Sequence, residues 1–177
     1  MDRNFSVLMS VYVKEKPEYL GASLDSLLCQ TVRPSEIVIV KDGPLTEELD
    51  ALIASYVERE PSLYTLVPLS ENRGLGLALR EGMLHCRYEL VARMDSDDIC
   101  RPDRFEKQLA AFDVVGSYIL EFEDTPAQTI CRRTVPLSDE EIKKYQRKRD
   151  GFNHVSVMFK KSAVLKAGNY QHCPLME

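Results

Sequence analysis

The chain has 177 residues, 44% of them apolar and 29% charged. That is the size of one domain, able to bury about 70% of the surface its unfolded form exposes, which excludes both wholesale disorder and dependence on a disulfide or metal for folding. Lys and Arg total 23 against 28 Asp and Glu, a net charge of −5 with a pI near 5.3, which argues against a long nucleic acid as partner.

Strands and helices alternate from the N-terminus. Residues 5–12 form a near-continuous β-prone run, as expected of a strand buried on both faces. Pro17 suits a first helical turn, and Leu20, Leu24, Leu27 and Leu28 follow at helical spacing as far as Gln30. Residues 36–40 read as a second buried strand, ended by the turn Lys41-Asp42-Gly43-Pro44. Thr46 can cap a helix bearing Leu49, Leu52, Ile53, Tyr56 and Val57 on one face. A third strand over 63–69 leads into Ser70-Glu71-Asn72-Arg73-Gly74, a helix over 75–85, and a fourth strand over 90–94 that stops at Asp95-Ser96-Asp97-Asp98. Four rounds of strand then helix imply right-handed crossovers and an α/β fold, a three-layer arrangement on a mainly parallel sheet.

Beyond Pro102 the pattern loosens: a helix over 103–112, strands over 114–122 and 128–134, a charged helix over 138–148 and a strand over 156–159. At Phe112-Asp113-Val114 a helix runs into a strand with no turn residues, where connections usually take about 2–6 residues, so a loop is expected to be missing there. The whole of 1–177 reads as one domain, with 1–100 a regular nucleotide-binding half and 101–177 a less regular remainder.

Five cysteines, Cys29, Cys86, Cys100, Cys131 and Cys173, include no CxxC pair, and read as free thiols in a reducing cytosol. No apolar run suffices for a signal peptide core or a membrane span. The basic run at 143–149 reads as a solvated helix face, with attraction for phosphate or an anionic lipid-linked molecule as the alternative.

In an open α/β sheet, ligands bind outside the carboxyl ends of the strands. Here those ends carry Tyr12, Asp42, the turn Asn72-Arg73-Gly74 and the cluster Asp95-Ser96-Asp97-Asp98. An aromatic ring can stack on a base, a lone carboxylate can accept from a base or ribose donor, and an acidic cluster can hold a divalent cation bridging phosphates. Two carboxylates one residue apart can divide those roles, although a solvated acidic turn preceding the helix at Pro102 competes as a reading. An EF-hand is a poor match, because Ile99 and Cys100 fall at a ligand position and at the turn glycine. Gly74-Leu75-Gly76 is a partial dinucleotide fingerprint, but Leu79 holds the third glycine's place and the motif follows the third strand. No GxxxxGK[ST] loop or GxSxG elbow occurs, and His85, His154 and His172 are too scattered for a metal spacing.

In order and spacing, the segments 6–12, Gln30-Thr31 with Pro34, 40–43, 71–75, 94–98 and Arg101-Pro102-Asp103-Arg104 closely resemble the catalytic domain of glycosyltransferase family 2, in its bacterial sugar-polymer branch. The resemblance continues through Val114-Val115-Gly116-Ser117, Asn153-His154, Val157-Met158-Phe159 and Ala167-Gly168-Asn169-Tyr170. It implies a GT-A fold and an inverting enzyme that moves a sugar from a UDP-sugar to a hydroxyl of a glycan or lipid-linked acceptor, in cell-surface polysaccharide synthesis. It also implies a cytoplasmic location, at the inner face of the membrane, with peripheral membrane association.

By the same resemblance Tyr12 and Asp42 contact the nucleoside, while Asn72, Arg73 and Gly74 line the nucleotide pocket. Asp95 lies by the ribose or sugar, Asp97 ligates Mg2+ or Mn2+, and Arg93, Asp98 and His154 give supporting contacts. The catalytic base is expected to be the Asp of a Glu-Asp pair shortly after the Gly-x-Tyr segment. Glu177 matches its first member and the chain stops there, so the expectation is a domain, truncated before its acceptor-side helices, that binds donor and metal but transfers sugar poorly. A non-catalytic nucleotide-sugar-binding scaffold of the same fold is the alternative.

Overall fold

The computed structural model describes residues 4–109, 114–123 and 125–172. Its first half follows the alternation read from sequence: β1 (Phe5–Val11), α1 (Pro17–Leu28), β2 (Glu36–Lys41), α2 (Glu47–Arg59), β3 (Tyr64–Pro68), α3 (Leu75–His85) and β4 (Leu90–Arg93). Pro17 opens α1, and the Thr46 hydroxyl accepts the Leu49 N–H to cap α2. β1 pairs in parallel with both β2 and β4, and β2 with β3.

The two-residue period of the strands divides the apolar core into two layers. Phe5, Val7, Met9 and Val11 of β1, with Ile37 and Ile39 of β2, pack against Leu20, Leu24 and Leu27 of α1 and Leu49 and Ile53 of α2. Leu8, Val38 and Val40 face the other way, onto Ala78, Leu79 and Met83 of α3. Each such side chain contributes about 1.5–3 kcal/mol when fully buried. α3 lies so close that a Cβ on Gly82 would come within 2.4 Å of Leu8 Cδ1 and 2.6 Å of Val40 Cγ2.

One polar knot interrupts this core. Ser6 and Glu36 are partners across β1 and β2, and both are fully buried. The Glu36 carboxylate accepts from Ser6 Oγ at 2.5 Å, Thr65 Oγ1 at 2.9 Å, and the Arg87 N–H and Nε at 2.8 Å each. Burial raises its pKa, but those hydrogen bonds and the Arg87 charge outweigh it and hold the carboxyl below the usual range.

The second half follows as α4 (Arg104–Gln108), β5 (Val114–Val115), β6 (Ile119–Phe122), β7 (Thr129–Arg133), α5 (Asp139–Tyr145), a 3-10 turn (His154–Ser156), β8 (Met158–Lys160) and α6 (Lys161–Lys166). The main sheet has the order β3-β2-β1-β4-β8-β5, with β8 antiparallel to both β4 and β5, and β6 and β7 form a separate antiparallel pair.

Several expected boundaries need correction. The strand expected over 114–122 is two strands in different sheets. It breaks at Gly116, where a Cβ would meet Phe152 Cδ1 at 2.8 Å, and at Ser117, whose N–H donates to Ser156 Oγ at 2.9 Å. The helix expected over 138–148 ends at Tyr145, the strand expected to start at residue 156 starts at Met158, and α6 has no counterpart in the sequence reading. The junction at 112–113 lies outside the described residues. Cys29, Cys86, Cys100 and Cys131 are free thiols. Among the described residues no helix is long and apolar enough to cross a membrane.

Candidate active site

Because β1 to β4 run parallel, their carboxyl ends lie along one edge of the sheet. At the end of β2, Asp42 is only 3% exposed and its N–H is held by the Val11 carbonyl at 2.8 Å. Its carboxylate accepts the backbone N–H of Arg73 on one oxygen (2.7 Å) and of Gly74 on the other (3.1 Å), while Asn72 Nδ2 donates to its carbonyl at 3.3 Å. Asp42 thereby shapes the turn that opens α3. Gly43, at φ +85°, lets the two loops touch: a Cβ there would lie 2.7 Å from the Asn72 backbone nitrogen. Gly74, at φ 83°, is the residue preceding the first turn of α3.

At the end of β4, Asp95, Asp97 and Asp98 each bring a carboxylate oxygen into a group lying within 4.8 Å of one another. Arg93, 1% exposed, donates from Nη2 to Asp95 Oδ1, while its Nε and Nη1 are buried without a partner among the described residues. Burial, reinforced by the charges of Asp95 and Asp97, pushes the Asp98 pKa up to about 6. The turn is braced from α1 and the turn before it: Ser23 Oγ donates to the Asp95 carbonyl at 3.0 Å, Ser26 Oγ accepts the Cys100 N–H at 2.9 Å, and Ser96 Oγ donates to the Glu15 carboxylate. Gln30 Nε2 donates to the Arg101 carbonyl at 2.7 Å, and the Thr31 N–H to that of Pro102 at 2.8 Å.

A third wall comes from the second half of the chain. His154 Nε2 and Tyr170 Oη lie 3.1 Å apart, and their rings have centroids 5.5 Å apart. Both groups sense the charges of Arg93 and Asp95. Desolvation and the nearby Arg93 lower the His154 pKa to about 4, although the residue as a whole is exposed, and burial raises that of Tyr170 to about 12. Asn153 Nδ2 anchors the wall, donating to the carbonyls of Ser117 (2.9 Å) and Arg133 (3.4 Å). Tyr12, 43% exposed, sits just past β1 in a turn closed by the Glu15 N–H on its carbonyl at 3.0 Å.

The structure thus gathers Asp42, Asn72, Arg73 and Gly74 into one contact group and Arg93, Asp95, Asp97 and Asp98 into another, with His154 linked to Arg93 and Asp95 electrostatically. Tyr12 stands on the same edge, and Glu177 lies outside the described residues. The three carboxylates suit a hard divalent cation such as Mg2+ or Mn2+, which prefers oxygen ligands, and Asp98 belongs to the group along with Asp97.

Two contributors had no role assigned from sequence. Arg104 donates from Nη2 to the carbonyls of Arg93 (2.8 Å), Val155 (3.3 Å) and Val157 (3.4 Å), tying β4 to the segment that carries His154. Tyr170 is the second. The only signals were the position of Arg104 two residues after Pro102 and of Tyr170 two after Gly168.

The profile of the family described as glycosyl transferase family 2 matches residues 6–168. An uncharacterized glycosyltransferase of Haemophilus influenzae is 46% identical over 94% of this chain and 64% of its own length. The amylovoran biosynthesis glycosyltransferase AmsE of Erwinia amylovora is 43% identical over 98% and 66%. A UDP-Gal:alpha-D-GlcNAc-diphosphoundecaprenol beta-1,3-galactosyltransferase of Escherichia coli is 39% identical over 94% and 62%. The chain therefore spans a little under two thirds of these relatives.

Among solved structures, S. aureus TarS in complex with UDP matches with a TM-score of 0.70 at 20% identity, over 94% of this chain and 49% of that one. A mannosyltransferase of Pyrobaculum calidifontis in complex with GDP-Man and Mn2+ matches with a TM-score of 0.64 at 21% identity, over 94% and 47%. At such identities the likeness speaks for the fold, the GT-A form of α/β architecture. With the profile covering most of the chain and relatives well above 30% identity over nearly all of it, this protein belongs to glycosyltransferase family 2.

Proposed function

We propose that residues 1–100 bind a UDP-sugar at the carboxyl edge of β1–β4, and that the later segment borders the acceptor side. The reaction proposed is inverting transfer of a hexosyl group to a hydroxyl of a glycan or lipid-linked acceptor, in surface polysaccharide synthesis at the cytoplasmic face of a membrane. The observation that carries this reading is the carboxylate trio of Asp95, Asp97 and Asp98, gathered within 4.8 Å at the same sheet edge as the buried Asp42 and the turn it organises. The named E. coli relative supports a UDP-linked donor and a lipid-linked acceptor.

Asp97 and Asp98 would hold Mn2+ or Mg2+, which as a Lewis acid stabilises negative charge on a departing diphosphate. Asp42 keeps a free lone pair on each oxygen after accepting the Arg73 and Gly74 N–H groups, enough to accept a base N–H. Tyr12 offers a ring to stack on the base, and Asn72, Arg73 and Gly74 form the pocket wall beside it. Asp95, fixed by Arg93, accepts from a ribose or sugar hydroxyl, and His154 stays neutral beside Tyr170. Transfer further needs a carboxylate to take the acceptor's proton, a contribution of about 10²–10⁴-fold in rate. By the family resemblance that duty falls to the Asp of a Glu-Asp pair, of which Glu177 matches the first member.

Calorimetric titration of UDP tests the donor site. Binding is expected only with Mn2+ or Mg2+ present, and is expected to weaken at least about tenfold in Asp97→Ala, the loss of a charge-assisted contact of roughly 1.5–3 kcal/mol. Equal binding with and without metal, or an unaffected variant, rejects the reading.

A further inference from the structure

The third wall of the site carries a hydrogen-bonded pair that the proposed reaction leaves without a task, His154 and Tyr170. A specific bend of the backbone places Tyr170 there. Where α6 ends, the Gly168 N–H donates to the Leu165 carbonyl at 3.1 Å and the Asn169 N–H to that of Val164 at 2.9 Å. Gly168 (φ 107°) and Asn169 (φ 63°) both take left-handed backbone, and Asn169 is the one residue other than glycine to do so among the described residues. Its side chain holds the bend at both ends: Nδ2 donates to the Arg80 carbonyl on α3 at 3.3 Å, and Oδ1 accepts the Tyr170 N–H at 2.8 Å. The phenol ring is thereby set beside Phe159, with centroids 6.5 Å apart, and beside His154.

His154 is fixed from the other side. It opens the 3-10 turn, and the carbonyls of Val155 and Val157 that follow it both accept from Arg104. The Val157 carbonyl also accepts the Arg93 N–H at 2.8 Å, which ties this segment to β4. Of the two ring nitrogens, Nε2 meets Tyr170 Oη at 3.1 Å and Nδ1 has no partner among the described residues. A phenol hydroxyl is a better donor than an imidazole N–H and its oxygen a poorer acceptor, so the hydroxyl donates to Nε2 and the ring proton resides on Nδ1. That is the reverse of the tautomer a free histidine prefers in water, and it makes Nδ1 a donor.

We infer that Tyr170 is a positioning residue that fixes the tautomer of His154, and that the His154 Nδ1–H donates to a hydroxyl oxygen of the transferred sugar. The inference rests on the reading of this sheet edge as a UDP-sugar site, with Asp95 accepting from a ribose or sugar hydroxyl. A hydroxyl both donates and accepts. Asp95 supplies the acceptor and His154 the donor, so the pair reads the sugar rather than the nucleotide.

Two measurements on the 177-residue chain test this. Nitrogen NMR of the His154 ring at about pH 8, above the ordinary imidazole pKa of about 6.5, is expected to show a protonated Nδ1 in the parent. In Tyr170→Phe, which keeps the ring and loses the hydroxyl, the proton is expected to move towards Nε2. Calorimetry with Mn2+ then compares UDP with UDP-galactose and UDP-glucose. Whichever sugar nucleotide the parent binds more tightly is expected to bind about three- to tenfold more weakly in Tyr170→Phe, the effect of one hydrogen bond, with UDP affinity unchanged. His154→Asn, whose amide falls where Nδ1 stood, should retain the sugar contact, whereas His154→Gln, whose amide falls where Nε2 stood, should lose it. An unchanged tautomer in Tyr170→Phe, equal losses for UDP and the UDP-sugars, or an Asn variant no better than the Gln variant would each overturn the inference and leave the donor site standing. A parent that binds no UDP ends the donor-site reading and this inference with it.

Discussion

Asp42 and Glu36 are both buried carboxylates on β2 or directly after it, and their surroundings give them different duties. Asp42 accepts two loop N–H groups, and the absence of a side chain at Gly43 is what allows those loops to touch. Glu36 faces the opposite end of the sheet, where Ser6, Thr65 and Arg87 satisfy it from four directions, and it is structural. Glu36→Gln removes the charge and turns an amide NH2 towards donors, so a loss of about 2–3 kcal/mol is expected in urea unfolding at pH 7. The sign of the pH effect follows from its depressed folded pKa. The stabilisation is complete above the ordinary value of 4.5 and fades as pH falls through the lower folded value. The parent should therefore lose stability below pH 4.5 more steeply than Glu36→Gln, and parallel acid limbs would dismiss Glu36 as a titrating contributor.

Among the elements, α3 links packing to the site, because it starts from the turn built by Asp42 and lies directly on β1 and β2. Gly82 sets that approach. Gly82→Ala gains about 1 kcal/mol of helix propensity, but its methyl group would overlap Leu8 and Val40, both fully buried. Overpacking of this kind costs about 1–3 kcal/mol, so the net expectation is a lower thermal midpoint together with weaker UDP binding through the displaced 72–74 turn. A midpoint equal to or above the parent's would show that the sheet can accommodate the methyl group. α1 with Gln30 just beyond it, and α4, play the matching part for the acidic turn, through Ser23, Ser26, Gln30 and Arg104. The segments around Gln30-Thr31 and Arg101-Pro102-Asp103-Arg104 thus meet in space, which their separation in the chain conceals.

Across the molecule, burial is concentrated in β1, β2 and β4 with the helices over them, and runs out at β6, β7 and α5. Amide protection should follow the same gradient, because local opening is least costly where few apolar contacts are lost. In hydrogen exchange read by mass spectrometry, peptides from β1 and β2 are expected to exchange slowest and those covering residues 129–145 fastest. Comparable protection of the two regions in the isolated chain would mean that the second sheet is covered by packing of its own.

The parallel half and the acidic trio were legible in the sequence because both are local in origin. A strand buried on both faces is a continuous apolar run, helices announce themselves by their spacing, and Asp95, Asp97 and Asp98 lie within four residues. The run over 114–122 was misread as one strand because it is β-prone throughout. Only pairing decided that 114–115 joins β8 and 119–122 joins β7, with Gly116 and Ser117 turned aside by Phe152 and Ser156. The same holds for Asp42 cradling the 72–74 turn, Arg104 spanning three carbonyls and His154 meeting Tyr170. Periodicity and propensity are properties of neighbours in the chain, so the sequence by itself determined the sheet-forming half and the residue types along its rim. Which polar groups satisfy one another across 11 to 53 residues of separation was decided by tertiary structure alone, because buried donors and acceptors must find partners wherever the fold brings them.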